Sequence, residues 1–159
     1  MKGNRRLLAV LNRLLADELT AISQYMVHSE MCENWGYPKL HAAIEKQAMD
    51  EMHHAEWLIQ RIIFLEGSPV VSRLNPMTIG RSVVEMIGND EASELDAVKA
   101  YNGGITVSRE VADNGTVELL TKILKMEEGH VDWGEAQRDQ IKQMGLPNYL
   151  ANQTEGAAD

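Results

Sequence analysis

Residues 50–57 read DEMHHAEW and residues 126–133 read MEEGHVDW. Each stretch holds a glutamate followed at the third position by a histidine, Glu51 with His54 and Glu127 with His130. On a helix, positions i and i+3 lie roughly 60° apart, so each pair faces one way. Upstream, Glu18 interrupts the apolar stripe of LLADELTAI and Glu94 that of EASELDAV, and the interval from Glu18 to Glu51 equals that from Glu94 to Glu127. The chain is therefore built of two halves with one plan, a glutamate on one helix and Glu-x-x-His on the next.

The surrounding periodicity is helical throughout. Leu7, Leu8, Leu11, Leu14, Leu15, Leu19 and Ile22 recur at three- and four-residue steps, the spacing of a one-sided apolar face. Helices are predicted over about 4–34, 39–66, 82–111 and 116–144, with a short fifth over 147–152 and a frayed polar tail at 153–159. WGYP (35–38), DNG (113–115) and GLP (145–147) supply the breaks; glycine suits a helix end and proline a helix start. The expected fold is all-α, a single domain over 1–159, an antiparallel four-helix bundle with a long connection between helices 2 and 3. That connection, GSPVVSRLNPMTIGR (67–81), has ~15 residues that reach ~50 Å extended, enough to span a ~42 Å helix. Val70, Val71, Leu74 and Ile79 are expected to pack it down. Gly103-Gly104 is a weak spot in helix 3, at roughly 1 kcal/mol per glycine relative to alanine.

At 159 residues, 44% hydrophobic and 25% charged, the chain is globular rather than disordered. A formal charge of −9 argues against nucleic acid as a partner and suits a protein that attracts cations. A single cysteine, Cys32, precludes an intrachain disulfide and fits the reducing cytoplasm. No apolar run approaches the ~20 residues of a membrane helix, and the amino terminus has no signal-peptide core.

Counting helical rise, the hairpin returns the chain at Glu51 close to the level it left at Glu18, so four carboxylates and two imidazoles converge at mid-bundle. Four unpaired buried carboxylates would protonate or require cations. Two divalent metals balance them, and oxygen-rich ligation with one imidazole each suits iron or manganese.

The chain resembles bacterioferritin over about residues 1–150. The resemblance is carried by the opening MKG, NWGY (34–37), QRIIFLEG (60–67), MEEGHVDW and QMGLPNYL (143–150), together with the six positions above. It implies a di-iron centre in which Glu18 and Glu94 are terminal ligands, Glu51 and Glu127 bridge, and His54 and His130 bind one iron each. It further implies a ferroxidase using dioxygen or hydrogen peroxide, ferric mineral in a hollow shell of 24 subunits built from dimers, and an iron-releasing ferredoxin-type reductase. A sister subunit, as in two-component members, is also compatible. Met52 points away from the Glu51/His54 direction and matches the methionine that, one from each of two subunits, ligates haem. Glu45, His53, Ser23 and Met26 depart from the residues expected around that haem, which leaves its type open. Lys46 stands where some members place a histidine that joins Asp50 in an inner-surface iron site, and Leu58 replaces a tyrosine found in some. Asn34, Glu66, Asp132 and Asp139 match side-pore positions. Tyr25 and Trp133 are read as neighbours of the ligands, and Tyr101 as a core aromatic.

Other readings are a ferritin-like di-iron oxidase or peroxidase without a shell, which would be a monomer or dimer, and a catalytically idle partner subunit. A DNA-protecting miniferritin would carry a basic tail, whereas ANQTEGAAD (151–159) is acidic.

Overall fold

Asn4 starts the first helix by accepting hydrogen bonds from the amides of Arg6 and Leu7, which satisfies two donors that a helix start leaves free. From there α1 runs Arg5–Asn34, α2 Pro38–Phe64, α3 Val83–Glu110, α4 Asn114–Met144 and α5 Leu146–Asn152. The computed structural model describes residues 1–155; residues 156–159 of the expected tail lie outside the described residues. Gly36, at φ +81°, turns the chain between α1 and α2, and Pro38 occupies the first turn of α2. Two boundaries differ from the predicted ones by more than a residue. Helix α2 stops at Phe64 because Glu66 turns left-handed at φ 58° and the amides of Glu66 and Gly67 fold back on the carbonyls of Ile63 and Ile62. Helix α4 begins at Asn114 because Asp113, read as part of a stop, caps it through the amide of Thr116.

The hairpins α1–α2 and α3–α4 pack side by side, with α1 on α3 and α2 on α4. Two apolar clusters form. One gathers Leu7, Leu11, Leu15, Leu58, Ile62 and Leu120; the other gathers Cys32, Leu40, Ile44, Met86, Ile87 and Tyr149. Glu18, Glu51, His54, Glu94, Glu127 and His130, all buried, come from the helix stretches between them, so a polar layer divides the core.

Residues 67–82 run the length of the bundle, as their reach allows, but they are not held as expected. Val70, Val71, Leu74 and Ile79 are exposed. The fastening is polar and comes from one face of α1. Asn12 accepts from the amide of Val70 at 2.8 Å, Thr20 Oγ1 from that of Asn75 at 2.8 Å, Gln24 Oε1 from that of Thr78 at 3.0 Å, and His28 Nε2 from that of Gly80 at 2.9 Å. An irregular strand has amides to satisfy, and side chains one or two helical turns apart on a single face reach them in a row.

Gly103-Gly104 does not interrupt α3. Gly103 faces open space, whereas a Cβ on Gly104 would come within 3.0 Å of Leu120 Cδ1 and 3.3 Å of Leu14 Cδ1. The second glycine is the contact that lets three helices close together.

Candidate metal centre

Glu18, Glu51, Glu94, Glu127 and the two histidines meet in the middle of the bundle, each at most 8% exposed. Their ligating atoms form two groups, Glu18–Glu51–His54–Glu127 and Glu51–Glu94–Glu127–His130, each within 4.8 Å. Glu51 and Glu127 belong to both. His54 Nδ1 lies 2.7 Å from Glu51 Oε2 and 3.2 Å from Glu127 Oε1, while His130 Nδ1 lies 3.0 Å from Glu51 Oε1 and 3.4 Å from Glu127 Oε2. Each shared glutamate thus turns one oxygen to either side. Glu18 serves only the His54 side, at 3.6 Å, and Glu94 only the His130 side, at 3.6 Å. Glu127 Oε2 and His130 Nδ1 are buried without an aligned hydrogen bond, although charged neighbours stand close. Polar atoms left so are rare, and two of them inside a ring of carboxylates fit a pair of cations.

Protonation divides the acids by position. Burial first, then the charge of Glu51, push Glu18 and Glu94 well above the ordinary carboxylate range. Burial acts the same way on Glu51 and Glu127, but the closely facing imidazoles of His130 and His54 overcome it and hold both low, Glu127 at about 2. Burial would depress the imidazoles; the facing carboxylates outweigh it and push His54 up to about 12 and His130 higher still. The two imidazoles therefore hold their protons among the carboxylates, and the terminal acids Glu18 and Glu94 are harder to ionise than the shared Glu51 and Glu127.

The outer ring of contacts follows the same repeat. The Tyr25 hydroxyl donates to Glu94, and the hydroxyl of Tyr101, its counterpart in the second half, donates to Glu18. Burial and the neighbouring carboxylate raise both phenols well above their ordinary range, so both keep the proton they donate. Tyr101 is thus a partner of the centre and not merely core, and the step that carries Glu18 to Glu94 could have found it by carrying Tyr25 to Tyr101. Trp133 packs against the cluster around Tyr149 and Ile44. Its counterpart Trp57, absent from the sequence expectations, lies with its ring 5.7 Å from that of His54.

A ferritin-like domain profile matches residues 8–144. Over 154 residues the chain is 40% identical to a bacterial ferritin of Synechocystis sp., covering 96% of this chain and 99% of that protein. It is 39% identical over 149 residues to a bacterioferritin of Rhodobacter capsulatus, covering 94% and 92%. With a bacterioferritin of Mycobacterium tuberculosis it shares 38% over 151 residues, covering 95% of each. The chain belongs to the bacterioferritin family. Membership places it among iron-storage, ferritin-like proteins that assemble with themselves. Among the described residues, no helix is long and apolar enough to cross a membrane.

A cavity of about 350 Å³ leads to the centre from the side where α1, α3 and the connection meet. Glu18, Glu51, Glu94 and Glu127 line it, as do Asp17 and Asp96, both exposed. Asp17 is tied to the connection through Asn75 Nδ2 at 2.7 Å.

The remaining expected positions are dispersed. Met52 is half-buried on α2, and the exposed Met26 and Met49 sit on the same helix pair. His53 pairs with Glu56 at 3.5 Å and stacks on Trp57. The four pore positions are exposed and do not meet within one chain: Asn34 closes α1, Glu66 pairs with the amino terminus at 3.0 Å, and Asp132 and Asp139 ride on α4. Lys46 Nζ holds Asp50 Oδ2 at 2.8 Å, so that oxygen already has a cationic partner.

Proposed function

We propose that this chain is a ferroxidase subunit that oxidises ferrous iron at the six-residue centre and stores the ferric product inside a shell of its own copies. The sharing of Glu51 and Glu127 between the two ligand groups is the observation that carries it, because a shared carboxylate keeps two ions adjacent. Two adjacent ferrous ions supply the two electrons that reduce dioxygen or hydrogen peroxide in one encounter.

The chain's residues do the rest. Glu51 and Glu127, common to both ligand groups, would hold both ions, Glu18 and Glu94 would close the two ends, and His54 and His130 would each offer Nδ1. Tyr25 and Tyr101 orient the terminal carboxylates, so that these can change binding mode without becoming disordered. Cations arriving at the centre displace protons from the imidazoles and terminal carboxyls, so positive charge is exchanged rather than added in the low-dielectric interior. The cavity under the connection admits the ion and a small oxidant.

The exposed apolar residues of the connection, with Met26 and Met49, suit contact between copies, and a 24-subunit shell in the cytoplasm is the assembly proposed. By the resemblance, Met52 would be the residue that, with its copy on a second subunit, holds a haem between them, and the haem would supply one-electron redox chemistry.

Stopped-flow mixing of ferrous iron with the aerobic protein should give a fast oxidation phase that saturates at two ions per chain. Glu51→Ala combined with His130→Ala should abolish that phase with helical circular dichroism retained; persistence of the phase would contradict the site. Size exclusion should show a very large assembly. A monomer or dimer that still oxidises iron would point instead to a di-iron oxidase without storage. Met52→Leu should abolish the haem band of the loaded assembly.

A further inference from the structure

The two metal positions are alike in their ligands but not in what stands behind the histidines. His130 Nε2 lies 3.3 Å from Asp50 Oδ2. His54 Nε2 lies 3.4 Å from the sulfur of Met126. Asp50 directly precedes Glu51 and Met126 directly precedes Glu127, so the repeat that duplicates every ligand supplies a carboxylate behind one imidazole and a thioether behind the other. We infer that Asp50 and Met126 make the two positions unequal, the Glu94/His130 position binding a divalent cation more tightly and filling before the Glu18/His54 position. This rests on the two-metal reading above.

The physical reason is the second nitrogen of each ring. A carboxylate accepts the Nε2 proton, fixes it there, and leaves the Nδ1 lone pair free and more basic toward a cation. Lys46 Nζ lies 2.8 Å from the Asp50 oxygen that faces His130 and holds that oxygen in place beside the ring. A thioether is a weak acceptor, so Met126 orients the His54 ring without adding negative charge. Two further differences act in the same direction. His54 is fully buried whereas His130 is 8% exposed, and a more buried cation is harder to desolvate. Lys122 Nζ stands 3.5 Å over the Trp57 ring, which itself packs on His54, and this places a positive charge behind that position. Lys46 opposes them by sharing Asp50, yet its contact also pins the oxygen that faces His130.

Partners behind a metal-bound histidine change affinity by roughly 10–100-fold, which sets the expected separation. Metal-free assembled protein is titrated with cobalt(II) in the absence of oxygen, with binding followed by calorimetry and by the visible bands of the bound ion. Two equivalents per chain should bind in two steps, about 10–100-fold apart. Glu94→Ala should remove the tighter step and Glu18→Ala the weaker. Met126→Asp should tighten the weaker step toward the stronger, and Asp50→Asn should weaken the stronger toward the other. A role for Asp50 confined to the fold would lower the melting temperature and leave the two steps apart. A single step for both equivalents, or a weaker step unmoved by Met126→Asp, would overturn the inference with the two-metal centre intact. Fewer than two equivalents in the unaltered protein would overturn the two-metal reading itself.

Discussion

The half built from α1 and α2 and the half built from α3 and α4 agree wherever an ion would be touched and differ away from it. Glu18, Tyr25, Glu51, His54 and Trp57 correspond, all at one constant offset, to Glu94, Tyr101, Glu127, His130 and Trp133. The two ends of the α1–α3 contact do not correspond. At one end His28 Nδ1 lies 2.9 Å from Asp90, whose carboxylate also accepts from Gln24 at 2.8 Å, and His28 Nε2 receives the Gly80 amide. At the other end the counterparts of His28 and Asp90 are Gly104 and Leu14, which meet in van der Waals contact. The connection between α2 and α3 must be held down only once, and the polar residues are where its last residues arrive. Symmetry is kept by the chemistry of the centre and lost where the chain connectivity is itself asymmetric.

The effect expected to be largest is that of pH on the metal-free protein, where both halves act together. His54 has its proton held up to about 12 against an ordinary 6.5, so its contribution to stability is complete below pH 6.5 and is lost as pH rises toward 12. Glu18 and Glu94, raised from 4.5, act with the same sign. Glu51 and Glu127 act oppositely: their contribution is complete above 4.5 and is lost as pH falls, for Glu127 through about 2. Thermal melts should place the metal-free optimum near 4.5, where the opposing carboxylate contributions cross, with stability falling as the solution becomes alkaline. Cobalt(II) should stabilise progressively more as pH rises, because it displaces these protons. A metal-free protein more stable in mild alkali than in mild acid would contradict the buried imidazolium pair.

Next in size is the polar end. His28→Ala leaves Asp90 buried with Gln24 as its main partner and frees the Gly80 amide. Removing a hydrogen-bond donor from a buried carboxylate and the acceptor of a buried amide costs about 3 kcal/mol, read by denaturant melts of the metal-free protein. A loss no larger than a surface substitution would mean that the pair does not anchor the connection. The smallest effects separate two adjacent glycines at the apolar end. Gly104→Ala must displace Leu120 or Leu14 and should destabilise by about 1–3 kcal/mol. Gly103→Ala meets nothing and should stabilise α3 by about 0.5–1 kcal/mol through helix propensity. Equal effects at the two positions would show that the helices do not approach as closely as described.

The sequence states the helices and the ligands plainly because both are periodic: apolar residues recur every three or four positions, and the six ligand residues repeat at one offset. What it conceals is non-periodic or depends on the opposite helix. Tyr101 looks like any core tyrosine until α1 places Glu18 against it. The apolar residues of the connection suggest packing, yet they face outward while Asn12, Thr20, Gln24 and His28, scattered among the leucines of α1, hold its amides. Met126 reads as an ordinary helix residue, and only the position of His54 across the bundle shows that it stands where Asp50 stands for His130.

The central claim is that Glu51 and Glu127 serve both metal positions whereas Glu18 and Glu94 serve one each. Anaerobic equilibrium binding of ferrous iron tests it most directly, with the unaltered protein compared with Glu18→Ala, Glu94→Ala and Glu127→Ala. The account predicts two ions per chain in the unaltered protein, one retained in each of the first two variants, and both weakened together in Glu127→Ala. One ion still bound at full affinity in Glu127→Ala would contradict it.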